Sequence, residues 1–309
     1  MRALWGLLAA LALGGCRDPE VTLALAGDVM LGRDVARTCR ERGVSYPLVE
    51  VAPVLRSADV AYGNLECVLT DSPVRFPRKN ALLAGPRFAP ALTSAGFDVL
   101  GLANNHAIDG GRTGLRRTMD LLAAQGATVV GVGATRAEAE AGAVRTVRGL
   151  RVGFIAFSDF PYANFVQDNG REAILTLSEE ALRRCLPPLR QRCDLLVVAF
   201  HWGKEGSRVV SDRERALAHL AVDLGAAIVA GSHSHVRAPV EMYGRSLIAY
   251  GLGNLVFDDH SHGGNEGLIL VCRVGRTGVR GYEAIMTRVQ DCRAVLEKPG
   301  TIRQEVSVR

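Results

Sequence analysis

The chain of 309 residues contains no run of five or more lysines and arginines, and its formal net charge is only +5. Because proteins that bind nucleic acid concentrate basic residues in patches, this absence argues against nucleic acid as a partner. Internal repeats and long linkers are also lacking, so we expect one domain over residues 21–309. Apolar residues make up 48% of the chain and charged residues 22%, a composition that excludes intrinsic disorder.

The sequence also lacks any Cys-x-x-Cys pair, which argues against a zinc site built from thiolates. Six cysteines follow residue 16, and an even number is compatible with disulfides in an exported protein. The nearest candidate pairs in the sequence are Cys185 with Cys193 and Cys272 with Cys292. Buried free thiols are an equally good interpretation, because the sequence alone does not choose among the possible pairings.

The apolar run at the amino terminus, residues 3–15, is too short to cross a bilayer, which takes about 20 residues. With the charged Arg2 in front of it, the run has the pattern of a secretory signal. It ends in Leu13-Gly14-Gly15-Cys16, which resembles the bacterial lipobox, where small residues precede a cysteine that is lipidated. A plain signal peptide with a chance cysteine is the alternative.

The lipobox interpretation predicts a location. Residues 1–15 would be a lipoprotein signal peptide, and the lipidated Cys16 would become the new amino terminus and anchor the protein to a membrane of the cell envelope. Arg17 follows the cysteine, where an aspartate would favour retention at the inner membrane. We therefore expect the outer membrane if the organism has two membranes.

Short apolar runs recur along the chain, and each ends in polar residues or glycine. They predict buried strands at Val21–Ala26, Asp59–Tyr62, Phe97–Ala103, Asp194–Phe200, Ala226–Ala230 and Leu247–Tyr250. Two further strands are expected between Gly267 and Val289. Helical patterns lie at Gly114–Gln125, from Ser178 to about Arg184 ahead of Pro187-Pro188, and at Ser211–Leu224. The alternation of strands and helices predicts an α/β architecture.

Side chains of the types that can bind metals follow five of these predicted strands. They are Asp28, Glu66, Asn105 with His106, His201, and His233 with His235. In open α/β sheets, ligands bind beyond the carboxyl ends of the strands, so these side chains are expected to meet. Carboxylate and imidazole groups suit Mn²⁺, Zn²⁺ or Fe, and a set of this size predicts one or two ions.

Each residue also has a plainer interpretation when it is taken alone. Asp28 could cap a turn, and Glu66 could be a solvated loop acid. The Asn105-His106 pair could satisfy backbone groups in a turn, and His201 could be a hydrogen-bonded, half-buried histidine. The coincidence of all of them at strand ends favours a metal site.

Six polar motifs in this order carry a resemblance to a known family. They are Gly27–Arg33, Gly63–Glu66, Ala103–Gly110, His201–Glu205, Gly231–Val236 and Gly251–Asp258. They resemble the motifs of the CapA family of poly-γ-glutamate capsule biosynthesis proteins, which are related to the calcineurin-like metallophosphoesterases. The resemblance spans about Val21 to Asp258 and implies a four-layer α/β/β/α sandwich.

The resemblance also implies roles for individual residues. One metal would be held by Asp28, Glu66 and His235, and the other by Glu66, Asn105, His201 and His233. His106 would be the acid/base or phosphate-facing histidine, oriented by Asp109. The sequence departs from metallophosphoesterases at position 30, where Met30 stands in place of the usual histidine and removes a ligand from the first metal.

Three functions are compatible with these residues. The first is an exported, lipid-anchored, metal-dependent hydrolase of the phosphoesterase type that acts in the synthesis of a capsule or envelope polymer. In that case Arg33 would steady phosphoryl oxygens, although it could also be a plain surface charge. The second is a non-catalytic factor whose metal site binds an anionic polymer such as poly-γ-glutamate. The third is a metal-dependent amide hydrolase acting on γ-glutamyl bonds.

Overall fold

The computed structural model describes residues 19–71, 80–160, 173–259 and 264–305, without the side chains of residues 298–305. The predicted signal segment and the predicted lipidation site at Cys16 lie outside the described residues. Among the residues that are described, no helix has both the length and the apolarity needed to cross a membrane.

The described residues form eighteen strands, seven α-helices and a short 3₁₀-helix at Tyr46–Leu48. The strands are β1 (Val21–Val29), β2 (Val60–Leu65), β3 (Val68–Leu69), β4 (Leu83–Ala84), β5 (Val99–Gly101), β6 (Thr128–Val130), β7 (Val132–Gly133), β8 (Ala143–Val147), β9 (Leu150–Ser158), β10 (Ala173–Ile174), β11 (Leu195–His201), β12 (Ile228–Ser232), β13 (Val240–Tyr243), β14 (Ser246–Ala249), β15 (Asn254–Val256), β16 (Glu266–Gly275), β17 (Gly278–Gln290) and β18 (Arg293–Glu305). The helices are α1 (Arg33–Arg42), α2 (Ala52–Ser57), α3 (Phe88–Ala95), α4 (Gly111–Ala124), α5 (Arg136–Ala141), α6 (Glu179–Arg192) and α7 (Asp212–Asp223).

Two mixed sheets dominate the fold. The first has the order β18-β17-β16-β1-β2-β5-β6, with β15 paired to β1, and the second has the order β13-β14-β12-β11-β9-β8. In the first sheet, β1, β2, β5, β6 and β15 pair in parallel, while β16, β17 and β18 add antiparallel strands. In the second sheet, β9, β11, β12 and β14 are parallel, and β8 and β13 are antiparallel edges.

The second sheet is covered on both faces. In β11, Val197 and Ala199 belong to an apolar cluster shared with the first sheet, whereas Leu196 and Val198 belong to a cluster shared with α6 and α7. Because successive side chains of a strand point to opposite faces, one face packs on the first sheet and the other packs on helices. Helices α1–α4 contribute buried side chains to the cluster of the first sheet. The expected four-layer α/β/β/α sandwich is therefore confirmed.

Helix α6 is longer than the sequence predicts. It continues through Pro187 and Pro188 to Arg192, although the prolines led us to expect an end near Arg184. A proline in a helix interior costs about 3 kcal/mol or more, because it lacks a donor and crowds the preceding turn. The apolar stripe of α6 is buried and comprises Leu182, Cys185, Leu186 and Leu189. Burial of this stripe offsets the missing hydrogen bonds and keeps the helix continuous.

The carboxyl-terminal region contains one strand more than expected. Strands β16 and β17 correspond to the two predicted between Gly267 and Val289. The additional strand β18 pairs with β17. The six cysteines after residue 16 are all buried and free, which agrees with the interpretation as buried thiols.

The carboxyl end of β1 is packed closely against β15. A Cβ atom at Gly27 would lie 2.0 Å from the carbonyl oxygen of Gly253, so only glycine fits there. The next residue, Asp28, pairs in register with Asn64 of β2 and with Asn254 of β15. Three polar side chains are thereby held side by side at one edge of the first sheet.

Candidate metal centre

Both sheets contribute to one buried polar cluster. From the first sheet come Asp28 in β1, Glu66 directly after β2, and Asn105 in the loop after β5. From the second sheet come the last residue of β11, His201, and two histidines that follow β12, His233 and His235. The predicted strands that were expected to deliver these side chains are present, and their carboxyl ends meet between the sheets.

Glu66 lies at the centre of the cluster. Its side chain is fully buried, and among the described residues neither carboxylate oxygen has a hydrogen-bond partner. Its Oε1 atom lies 3.7 Å from Nε2 of His201 and 3.9 Å from Nε2 of His235. An unpaired buried carboxylate is costly, and a bound cation would remove that cost. The donor set therefore fits a divalent metal ion.

Two groups of three side chains have the spacing of metal ligands. The ligand atoms of Asp28, Glu66 and His235 lie within 4.8 Å of one another, and so do those of Glu66, His201 and His233. Glu66 belongs to both groups. Asn105 joins the second group through its Oδ1 atom, which lies 2.8 Å from Nε2 of His201. All six residues expected to bind metal are brought together.

Hydrogen bonds orient these side chains from outside the cluster. Nδ2 of Asn64 donates to Oδ1 of Asp28 at 2.7 Å. Nδ1 of His235 lies 2.9 Å from Oδ1 of Asn254, which leaves Nε2 facing Glu66. Such partners fix the orientation of a ligand ring. The sequence analysis did not assign Asn64 or Asn254, because their roles depend on the strand register. A sequence feature that could have pointed to them is the Gly-Asn pair that each forms near the end of a strand.

The loop after β12 has an unusual backbone. His233 and His235 both have a positive φ, 87° and 59° respectively, which non-glycine residues rarely adopt. The backbone N–H of His233 donates to Oδ2 of Asp28 at 3.0 Å, which ties this loop to the first sheet. The ring of Phe160 lies over that of His233, with 3.9 Å between centroids. Strained residues held in this way cluster at functional sites.

The protonation of the histidines suits cation binding. Burial, followed by repulsion from His235, lowers the pKa of His233 to about 3. Burial and the neighbouring imidazoles also hold the pKa of His201 well below its ordinary value. These two rings are therefore neutral at pH 7, the form that ligates metals.

The pKa values of Glu66 and His235 are both raised. Burial, and then the Asp28 carboxylate, raise the pKa of Glu66 well above its ordinary value. Although burial opposes its charge, the carboxylates of Glu66 and Asp28 raise the pKa of His235 to about 10. The metal-free cluster thus holds a proton between Glu66 and His235 at pH 7.

His106 and Asp109 form a pair at the edge of the cluster. Nδ1 of His106 lies 2.5 Å from Oδ2 of Asp109, and that oxygen also accepts the backbone N–H of Leu82 at 2.7 Å. Nε2 of His106 lies 3.9 Å from Oε1 of Glu66. The His106 side chain is 17% exposed, so a substrate outside the cluster can reach it.

Arg33 lies at the rim of the cluster and is paired with an acidic residue. Its Nε atom lies 2.6 Å from Oδ2 of Asp258, and its side chain is 39% exposed. The guanidinium lies over the ring of Phe257, which in turn lies 4.9 Å from the His235 ring between centroids. By contrast, Met30 is buried and its Sδ atom accepts the N–H of Gly32. Its sulfur is thus engaged by the adjacent backbone.

Comparison with known proteins gives the family. PGA biosynthesis protein CapA of Bacillus subtilis is 27% identical over 94% of this chain and 78% of its own length. Capsule biosynthesis protein CapA of Bacillus anthracis is 33% identical over 78% of this chain and 61% of its own length. Among solved structures, the calcineurin-like phosphoesterase YfkN of Bacillus subtilis is 13% identical, covers 93% of this chain and 91% of that one, and has a TM-score of 0.48. The model of the family described as bacterial capsule synthesis protein PGA_cap matches residues 22–259, and the chain belongs to this family.

Proposed function

We propose that this protein is a hydrolase that uses one or two divalent cations and acts in the synthesis of an anionic capsule or envelope polymer of the poly-γ-glutamate type. Family membership supports the biological role. The chemical role is supported by one observation above all, the fully buried Glu66 carboxylate among the histidines. A carboxylate in that position fits a metal ligand that belongs to both groups.

The residues that would hold the cations are those of the two groups. Asp28, Glu66 and His235 would hold one, and Glu66, His201 and His233, with Asn105, the other. Mixed nitrogen and oxygen ligands favour Mn²⁺, Zn²⁺ or Fe. When bound, such a cation supplies Lewis acidity and positive charge to an anionic substrate group.

The chain's own residues supply proton transfer and orientation. Asp109 fixes the ring of His106 so that Nε2 faces the cluster, where it can donate a proton to a leaving group or accept one. At the rim, Arg33 attracts the negative charge of a phosphoester or a polymer carboxylate. Asp258 holds the guanidinium beside the site.

We place the protein at the cell envelope, anchored through a lipid on Cys16. The support is the sequence of residues 1–16. The test is fractionation of cells that express the wild type or Cys16→Ser. We expect the wild type in the membrane fraction and the variant in the soluble fraction; an unchanged distribution contradicts the lipid anchor.

The hydrolase proposal is tested by metal content together with turnover. The purified protein, Glu66→Ala and His233→Ala are reconstituted with Mn²⁺, assayed for bound metal, and incubated with bis(p-nitrophenyl) phosphate and with a γ-glutamyl oligomer. An exposed glutamate, Glu41, gives the matched control Glu41→Ala. We expect bound metal and phosphodiester turnover in the wild type and the control, and the loss of both in the two site variants.

Other outcomes separate the remaining functions. Cleavage of the γ-glutamyl oligomer without phosphodiester turnover points to the amide hydrolase. Bound metal with no cleavage of either substrate, but with retention of poly-γ-glutamate, points to the polymer-binding factor. A wild type that binds no metal contradicts the site itself.

A further inference from the structure

A third group of possible ligands includes a residue that the metal-site prediction did not contain. The carboxylate of Glu205 and the ring nitrogens of His233 and His235 lie within 4.8 Å of one another. The two histidines are buried, whereas Glu205 is exposed. Glu205 therefore approaches the two histidines from the solvent side of the cluster.

The loop that carries Glu205 is attached to the loop after β12. The backbone N–H of Trp202 donates to the carbonyl of Ser232 at 3.2 Å, and that of Gly206 donates to the carbonyl of Ser234 at 2.8 Å. The indole N–H of Trp202 donates to the carbonyl of Tyr250 at 3.0 Å. These bonds on both sides of Glu205 hold its backbone next to the histidine loop, so the carboxylate is placed by the fold.

The chemistry of the third group is that of a metal ligand set. Two imidazoles and one carboxylate form a common set of protein ligands in metal sites with an open position. However, other side chains of the site already contact the ring nitrogens of His235. Nδ1 of His235 lies 2.9 Å from Oδ1 of Asn254 and 3.4 Å from Oδ2 of Asp28, and Nε2 faces Glu66. Glu205 would therefore add a ligand to a cation already held at one of the two histidines rather than create a separate site.

We propose that Glu205 is an additional metal ligand, which binds from the open side to a cation of the proposed centre at His233 or His235. This inference rests on the proposed metal-dependent function. Glu205 would give the site a solvent-exposed carboxylate ligand beside the buried histidine ligands.

The test is the affinity for Mn²⁺ alone, measured by isothermal titration calorimetry on the purified protein. The variants are Glu205→Gln, which keeps the shape and removes the charge, and Glu41→Gln as the matched control on α1. We expect Glu205→Gln to weaken Mn²⁺ binding by at least about tenfold, since even the loss of an outer hydrogen-bond partner of a ligand costs 10–100-fold. Glu41→Gln should bind as the wild type does.

Two results would overturn the inference. One is an unchanged Mn²⁺ affinity in Glu205→Gln. The other is a zinc-soaked crystal whose anomalous density lies at the histidines but farther than a bond, about 2.2 Å, from the Glu205 carboxylate. Both leave the proposed function intact, whereas a wild type that binds no Mn²⁺ contradicts the proposed function and the inference together. The unfolding temperature of Glu205→Gln in EDTA is compared with that of the wild type, and equal values show that the substitution leaves the fold unchanged.

Discussion

The Asp109 carboxylate lies 2.5 Å from Nδ1 of His106, and the opposite nitrogen of the same ring faces Glu66 at 3.9 Å. This arrangement fixes which nitrogen of His106 is available to a substrate. Asp109 is buried and lies outside the two groups of metal ligands, so its substitution separates proton transfer from metal binding.

Asp109→Asn should lower kcat for the phosphodiester by on the order of 10²-fold, because an amide does not hold His106 in the same tautomer. Bound Mn²⁺ should be unchanged. The measurement is steady-state kinetics with metal analysis of the same sample. Asp120→Asn, an exposed position on α4, is the matched control. A parallel loss of metal in Asp109→Asn would show that the residue supports the metal site instead.

Asn64→Ala should weaken metal binding without removing a ligand. Its Nδ2 atom donates to Asp28 at 2.7 Å and lies 3.2 Å from Nδ1 of His201, so it orients side chains from both sheets. Loss of such a partner lowers metal affinity by about 10–100-fold. Calorimetric titration with Mn²⁺ measures the change. An affinity equal to that of the wild type would mean that Asn64 does not orient the metal ligands.

Metal binding should release at least one proton at pH 8. In the metal-free protein, the raised pKa values of Glu66 and His235 keep a proton on this pair, whichever of the two carries it. A cation takes the place of that proton, so apparent affinity should rise with pH. Titrations in buffers with different ionisation enthalpies count the released protons. A count of zero would contradict binding at Glu66 and His235.

The metal-free protein should lose stability as the pH falls below 6.5. Burial lowers the pKa of His233 to about 3 from an ordinary value of 6.5, so between these values the unfolded chain binds a proton that the folded one excludes. Each pH unit in this window costs up to about 1.4 kcal/mol of unfolding free energy. Urea unfolding in EDTA at pH 7 and 5.5 should therefore show a fall about 1 kcal/mol smaller in His233→Asn than in the wild type. Equal falls would contradict this protonation state.

Much of the fold could be predicted from the sequence, because the predicted strands end at a change from apolar to polar residues, although the equally apolar β9 was not among them. The pattern around Val21, for example, marks β1, and the polar residues after it mark one edge of the sheet. Proline in α6 misled the prediction, since local propensity does not include the packing of Leu182 and Leu186 against the second sheet. The polar sequence of β18 gave no apolar run to recognise.

The sequence predicted the site residues that lie at or after strand ends. It did not predict the residues that contact them from a neighbouring strand or loop. Asp28 and His201 come directly from strand ends, so the position in the sequence was enough. The role of Asn64 depends on its register with Asp28, which no local pattern specifies. Glu205 lies in an exposed loop, where an acidic residue is ordinarily solvated, and only the backbone bonds around it bring it to the histidines.

The most direct test of the account is Mn²⁺ binding by the wild type and Glu66→Gln, combined with urea unfolding of both in EDTA. We predict that the wild type binds one or two ions and that the variant binds at least one fewer, because Glu66 belongs to both inner ligand groups. Urea unfolding in EDTA compares the folds of the two metal-free proteins, so that a loss of metal binding in the variant is assigned to the lost ligand and not to unfolding. Unchanged metal binding in Glu66→Gln, or a wild type that binds none, would contradict the metal centre.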